Sequence, residues 1–240
     1  MKLFSGKGFS GYMLYAIGEI ILVVIGILLA LEINNWNEYN KERKEEQYLL
    51  SGFATDIEND VRHLNNIIND TRQRKLMVDS IYALLQKPSP EKLGDFISLQ
   101  EHLMVDNYFV PNRATFDQGI ASGKIQFIQN NGLRESIFEY YSYIANKRNN
   151  DHSAYHFTNE FIVPAIVEEV FSSREMITAM EGVENQLPKL DLNKIAKSPR
   201  YYQALIYARG DQYQLTDWNN YKRSAEALKD AIERELEAKK

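Results

Sequence analysis

The chain has 240 residues, a net charge of −5 and no cysteine. The missing thiols exclude disulfides, thiolate metal sites and thiol nucleophiles, and they fit a bacterial envelope compartment. The acidic balance leaves no basic footprint for nucleic acid, and twelve glycines with six prolines favour helices over a sheet-rich fold.

The overall mean hydropathy of −0.43 averages one very apolar segment with a polar remainder. Residues 1–11 form a short tail. Residues 12–33, YMLYAIGEIILVVIGILLALEI, are apolar except for Glu19 and the closing Glu32. Its 22 residues cover about 33 Å as a helix, enough for a hydrocarbon core of about 30 Å. Tyr12 and Tyr15 stand at one boundary and Trp36 at the other, where aromatic rings favour the headgroup level. A cut after Ala30 would put Leu28 at position −3, where signal cleavage wants a small residue, so an uncleaved anchor is expected. Lys2 and Lys7 before the span nearly balance Lys41, Arg43 and Lys44 after it, and charge alone leaves the orientation open.

Glu19 is the one acid well inside the span, and burying a carboxylate in hydrocarbon costs about 2.5–3.5 kcal/mol. Glu19, Gly26 and Ala30 fall on one narrow stripe at about 100° per residue. Gly26-x-x-x-Ala30 is a small-xxx-small spacing that admits a second helix. The stripe predicts a contact face for a homodimer or another membrane protein. A shallow, snorkelling Glu19 and a proton-handling Glu19 are the alternatives.

From residue 34 onward an extramembrane helical domain is expected. Residues 34–87 hold no proline and only Gly52, so the anchor should run on into a long stalk or bundle helix, with a possible break at Asn34-Asn35. Leu50, Phe53, Ile57, Val61, Leu64 and Ile68 make an apolar stripe at spacings of three and four. The mixed charges of residues 41–47, KERKEEQ, read as a solvated stalk face.

Residues 88–240 supply the remaining bundle helices. Ser89-Pro90-Glu91 opens one of them. Residues 106–112 form a connector, and residues 114–122 a short helix capped by Gly123. Residues 124–128 suit a short extended piece. A long amphipathic helix starts near Gly132 and is kinked or divided at Pro164. Residues 182–192 read as a loop, Ser198-Pro199 as a helix cap, and residues 216–237 as a last helix. The fold class is all-α: a transmembrane helix continuing into a long stalk helix and a bundle of five to seven helices.

Two blocks carry a family resemblance. YAIGEIILVVIGILLALEINNWNE (residues 15–38) resembles the opening signature of a bacterial family of single-pass membrane proteins of unknown function. ATFDQGIASGKIQFIQNNGLRESIFEYY (residues 114–141) is similar to that family's central block, with its Ser-Gly pair, Ile-x-Asn segment and closing Tyr-Tyr. The resemblance implies a cytoplasmic N-terminus, an anchor in the inner membrane and a periplasmic domain. It brings no catalytic residue and no cofactor.

Catalytic motifs fail on inspection. Ser122-Gly123-Lys124 lacks the earlier glycine of a phosphate loop, since Gln118 stands there, and has Ile125 where Ser or Thr should hold magnesium. His152 and His156 are four apart with Glu160 on the same helical face, a spacing that chelates zinc. HSAYH lacks the glutamate a metalloprotease uses as its base, so a solvated helix face competes with a metal site. The acids Asp56, Glu58 and Asp60 show no convergent pair. Phe138, Tyr140, Tyr141 and Tyr143 point to core packing, and Arg113 near Asp117 to an ion pair or an anion contact. A non-enzymatic partner-binding protein of the envelope is the leading expectation, with a ligand sensor signalling through a partner and a proton-coupled subunit as the others.

Overall fold

The computed structural model describes residues 7–104, 107–171, 190–209 and 212–239. Among them every regular element is helical. Helix α1, Lys7–Gln86, is 80 residues long, about 120 Å at 1.5 Å per residue. No break occurs at Asn34-Asn35: both residues stay helical, since asparagine still donates its backbone N–H where proline would not. The stretch from Tyr12 is long and apolar enough to cross a membrane, and none of its apolar window is buried by the rest of the chain.

Above that stretch the buried side of α1 follows a strict alternation of four and three. Glu46, Leu50, Phe53, Ile57, Asp60 and Leu64 begin it, and Ile67, Thr71, Arg74, Val78, Ile81 and Leu85 complete it. This 3.5-residue period keeps one seam against the packed helices along the whole length. Four of its positions are polar, so the apolar stripe of the sequence shows only part of it.

Two apolar cores are threaded on this seam. The first gathers around Leu49 to Ile68 with α3 (Ala114–Ala121), α4 (Asn131–Phe157) and the last helix, α8 (Gln212–Ala238). The second gathers around Val78 to Leu85 with α2 (Leu93–Gln100), α5 (Val163–Glu169), the single turn α6 (Leu192–Ile195) and α7 (Pro199–Ala208). A polar layer separates them: Thr71 Oγ1 donates to the Ile67 carbonyl at 2.8 Å, and Arg74 Nη2 to the Leu103 carbonyl at 2.6 Å.

Local chemistry explains most boundaries. Pro90 stands at the first position of a short 3₁₀ turn leading into α2. Gly123 ends α3 at φ 70°, a left-handed conformation that other residues adopt only at a cost. Ser198 Oγ accepts the Tyr201 N–H at 3.2 Å and caps α7. Between α4 and α5 lies a π turn, Thr158–Ile162. Pro164 has no N–H for the Glu160 carbonyl, and a widened turn accommodates its ring.

Two expectations are corrected. Residues 124–127 are not extended: Lys124–Phe127 is a 3₁₀ turn and only Ile128 after it has an extended backbone, because Gly123 reverses the chain and α1 captures both sides of the turn. The charge run 41–47 is not simply a solvated stalk, because Glu46 is fully buried. The expected loop at 182–192 lies mostly outside the described residues, and its last residue, Leu192, opens α6.

Candidate functional site

The predicted contact residues Glu19, Gly26 and Ala30 are all exposed on α1, and a Cβ added at Gly26 would meet nothing within 4 Å. Tyr12, Tyr15 and Trp36 are exposed as well. Because α1 is unbroken, the direction of this face relative to the polar domain follows from helix geometry. Glu46 lies 27 residues after Glu19, and at about 100° per residue that is half a turn round the axis. At that rotation the first-core part of the seam, Glu46 to Leu64, falls within about 40° of the side opposite the Glu19–Gly26–Ala30 stripe, and its far end, Ile81 and Leu85, about 80–120° from the stripe.

The base of the domain is closed by a charge cluster centred on Glu46. Its Oε1 accepts the Gln129 N–H at 2.7 Å and lies 2.7 Å from Lys239 Nζ, while Arg43 engages Oε2. Lys239 also meets Glu235 at 2.7 Å, and Asn130 Nδ2 donates to Glu235 at 2.6 Å. Arg43 reaches the Phe127 carbonyl at 3.1 Å, and Lys124 pairs with Glu45 at 2.8 Å. The last turn of α8 and the 124–129 turn are thereby clasped to α1 about 15 Å along the axis from Trp36. Burial disfavours the Lys239 charge, but hydrogen bonds to Glu235 and Glu46 outweigh it and raise the pKa. Hydrogen bonds from Lys239 and Asn130 hold Glu235 below the ordinary carboxylate value.

A second polar group lies about three to four turns higher. Asp56 and Asp60 are one helical turn apart and buried, with Asp60 only 2% exposed. They share a face of α1, a pairing that sequence neighbours such as Asp56 and Glu58 cannot make. Asp60 Oδ1 accepts the Asn112 N–H at 2.8 Å and Oδ2 the Tyr140 hydroxyl at 2.8 Å. Asp56 Oδ2 accepts the Thr115 N–H at 2.9 Å, serving the open start of α3. Tyr141 donates to the Asn112 carbonyl at 2.9 Å. Gly52 permits the close approach, since a Cβ there would meet Thr115 Oγ1 at 2.8 Å. Burial pushes Asp60 up to about 6, against the lowering effect of its bonds to Asn112 and Tyr140. Tyr140 and Tyr141 are raised, chiefly by burial.

Other predicted residues fall as follows. Tyr140 and Tyr141 are core residues, Tyr143 packs beside them, and Phe138 is 37% exposed. Arg113 is resolved as an ion pair with Asp117 at 2.9 Å, its guanidinium lying over the rings of Phe116 and Tyr141. His152 and His156 lie on the helical backbone of α4, but their side chains fall outside the described residues. Glu160 is exposed in the π turn. Among the described residues no group of three His, Asp or Glu is arranged to hold a metal ion. An open groove of about 730 Å³ runs between α4 and α8, with Glu139 and Arg223 among its lining residues.

A family model for a family of unknown function, DUF6090, matches residues 19–157. The chain belongs to that family. The matched segment begins at Glu19 and takes in Gly26, Ala30, the seam of α1, both buried aspartates, and α3 and α4. No curated protein and no solved structure matches the chain. The family carries no assigned activity, so the residues themselves must supply the functional argument.

The sequence pattern missed Glu46, Asp56 and Asp60 for one reason. Their partners lie far along the chain: Asp60 meets Tyr140, 80 residues away, and Glu46 meets Gln129, 83 residues away. The available signal was their position. Glu46 and Asp60 continue the four-three register of Leu50, Phe53, Ile57 and Leu64.

Proposed function

We propose that this chain is a membrane-anchored, non-enzymatic scaffold that recognises a second transmembrane helix through Glu19, Gly26 and Ala30. The reading rests chiefly on one geometric argument: at about 100° per residue the first core packs on the side of α1 opposite that stripe. A partner helix can lie along the stripe without meeting the first core. Small side chains permit close approach, and a polar group on the partner would satisfy the Glu19 carboxyl in hydrocarbon. The partner is a second copy or another membrane protein. In this reading residues 1–11 are cytoplasmic, the anchor lies in a bacterial inner membrane, and the domain is periplasmic.

The chain has no native cysteine, which makes single-cysteine scanning direct. Gly26→Cys and Ala30→Cys should crosslink in native membranes, to a copy or to a second protein identifiable by mass. Leu28→Cys, half a turn from the stripe, should not. Equal crosslinking at all three positions, or none at any, would remove the reading. A sensor reading has one observation in its favour: α1 joins the apolar span to both cores without a break. It differs in requiring a ligand that changes the crosslinking pattern. A proton-coupled role for Glu19 would require Glu19→Gln to alter a proton-dependent phenotype while crosslinking persists.

A further inference from the structure

The connector 107–113 runs from the second core, entered through Leu103, down to the first, entered through Phe116. Its fastening to α1 has an apolar part, with Phe109 buried in the first core, and a polar part that depends chiefly on two carboxylates. Asp60 takes the Asn112 N–H and the Tyr140 hydroxyl, and Asp56 takes the Thr115 N–H one turn below. Among the described residues neither carboxylate forms an ion pair. On α1, His63 packs its ring against Phe109 of the connector, 5.7 Å between centroids. From the connector and α3 the charged groups are Arg113 and Asp117, engaged with each other. From α4 they are the hydroxyls of Tyr140 and Tyr141, both neutral because burial raises them. On α8, Lys222 is paired with Glu226, and Lys229 with Glu58 and Glu233. An ionised Asp60 is therefore a buried charge with two hydrogen bonds and no counter-ion, beside a second acid.

We propose that Asp60 is a proton-operated latch: protonated, it holds the 107–117 segment against α1, and ionised, it favours release of that segment. The protonated carboxyl can donate to the Tyr140 oxygen while Oδ1 keeps the Asn112 N–H, so the closed layer stays hydrogen-bonded without a buried charge. Release lets the ionised group hydrate, and the opening equilibrium then rises with pH. Burial places the closed-state titration at about 6 against 3.8 for a free side chain. Release is thus suppressed below about pH 4, grows through pH 6 and levels off above it. Between pH 5 and 7 the opening constant should rise about tenfold.

The test is hydrogen exchange on the full chain in lipid nanodiscs. Protection of the Asn112 and Thr115 amides, divided by intrinsic rates, should fall about tenfold from pH 5 to pH 7. Amides of α7, in the second core, should not follow. Asp60→Asn keeps the acceptor for Asn112 and offers a donor to Tyr140 without charge, so it should abolish the dependence. Tyr140→Phe removes a bond that favours the ionised form and should move the midpoint to higher pH, which keeps the test open if the asparagine variant folds poorly. A pH-independent wild type, the same dependence in Asp60→Asn, or an equal change at every amide would overturn the latch. Crosslinking at Gly26 bears only on the transmembrane reading, so the two can fail separately.

Discussion

Glu46 shows how one side chain can decide whether a domain closes. It is fully buried, yet two cations and a backbone N–H converge on it. Replacing it by alanine strands Arg43 and Lys239 and leaves the Gln129 N–H without its acceptor, and breaking a buried ion pair in this way costs about 3–5 kcal/mol. Denaturation of Glu46→Ala in detergent, followed by Trp218 fluorescence in a Trp36→Phe background, should show a loss of that size. Lys239→Ala, whose side chain is 21% exposed, should lose about 1 kcal/mol. The two carboxylates Glu235 and Asp60 act in opposite directions with pH. Glu235 has a lowered value, so its contribution is present above about pH 4.5 and is lost as pH falls below that. Asp60 has a raised value, so its contribution is greatest below about pH 4 and fades as pH rises through about 6. Wild-type stability should peak in mildly acidic solution, and Asp60→Asn should flatten the alkaline side of that peak. At Gly123 the φ of 70° predicts a loss of about 1 kcal/mol for Gly123→Ala by the same assay.

Among the elements, those set by local chemistry were legible before any coordinates. The Gly123 terminus, the Ser198-Pro199 cap, the Pro164 discontinuity and the unbroken apolar span each depend on residues within a turn or two of one another. What escaped prediction depends on distant partners. The turn at Lys124–Phe127 is drawn up by Arg43 and Glu46, and nothing in KIQFI announces that. The seam of α1 was read through Leu50, Phe53, Ile57 and Leu64 but lost at Glu46, Asp60, Thr71 and Arg74, where the register continues through polar side chains. The Glu19–Gly26–Ala30 stripe was visible as a pattern, whereas its direction relative to the domain required knowing that α1 does not break. That direction can be tested by phasing. Two alanines inserted between Glu38 and Tyr39 rotate the domain by about 200° relative to the stripe, and seven rotate it by about −20°. Crosslinking at Gly26→Cys should be lost or strongly reduced with two and retained with seven.

For the whole molecule, in the proposed membrane-anchored reading, the arrangement of two cores on one helix places the domain close to the bilayer at one end and far from it at the other. The Glu46 clasp sits about 15 Å above the Trp36 level, whereas the Gln86 end stands about 75 Å above it. The cores are joined by α1, by α4 with its π turn, and by the connector that Asp60 holds. Cutting the contacts of one core should therefore weaken the other only through those links. Phe53→Ala in the first core should cost about 3–5 kcal/mol, with exchange rising first in α3 and α4 and later in α7.

In the same membrane-anchored reading, an unbroken α1 also makes the molecule a lever whose fulcrum is the bilayer. Transmembrane helices commonly sit at tilts anywhere from 0° to 40°. A change of about 10° in the tilt of the span would sweep the Gln86 end sideways by about 13 Å, given the rise of 1.5 Å per residue above Trp36. In the proposed reading, a small displacement of a partner helix at Gly26 is thus magnified at the far tip into a movement larger than the width of a helix.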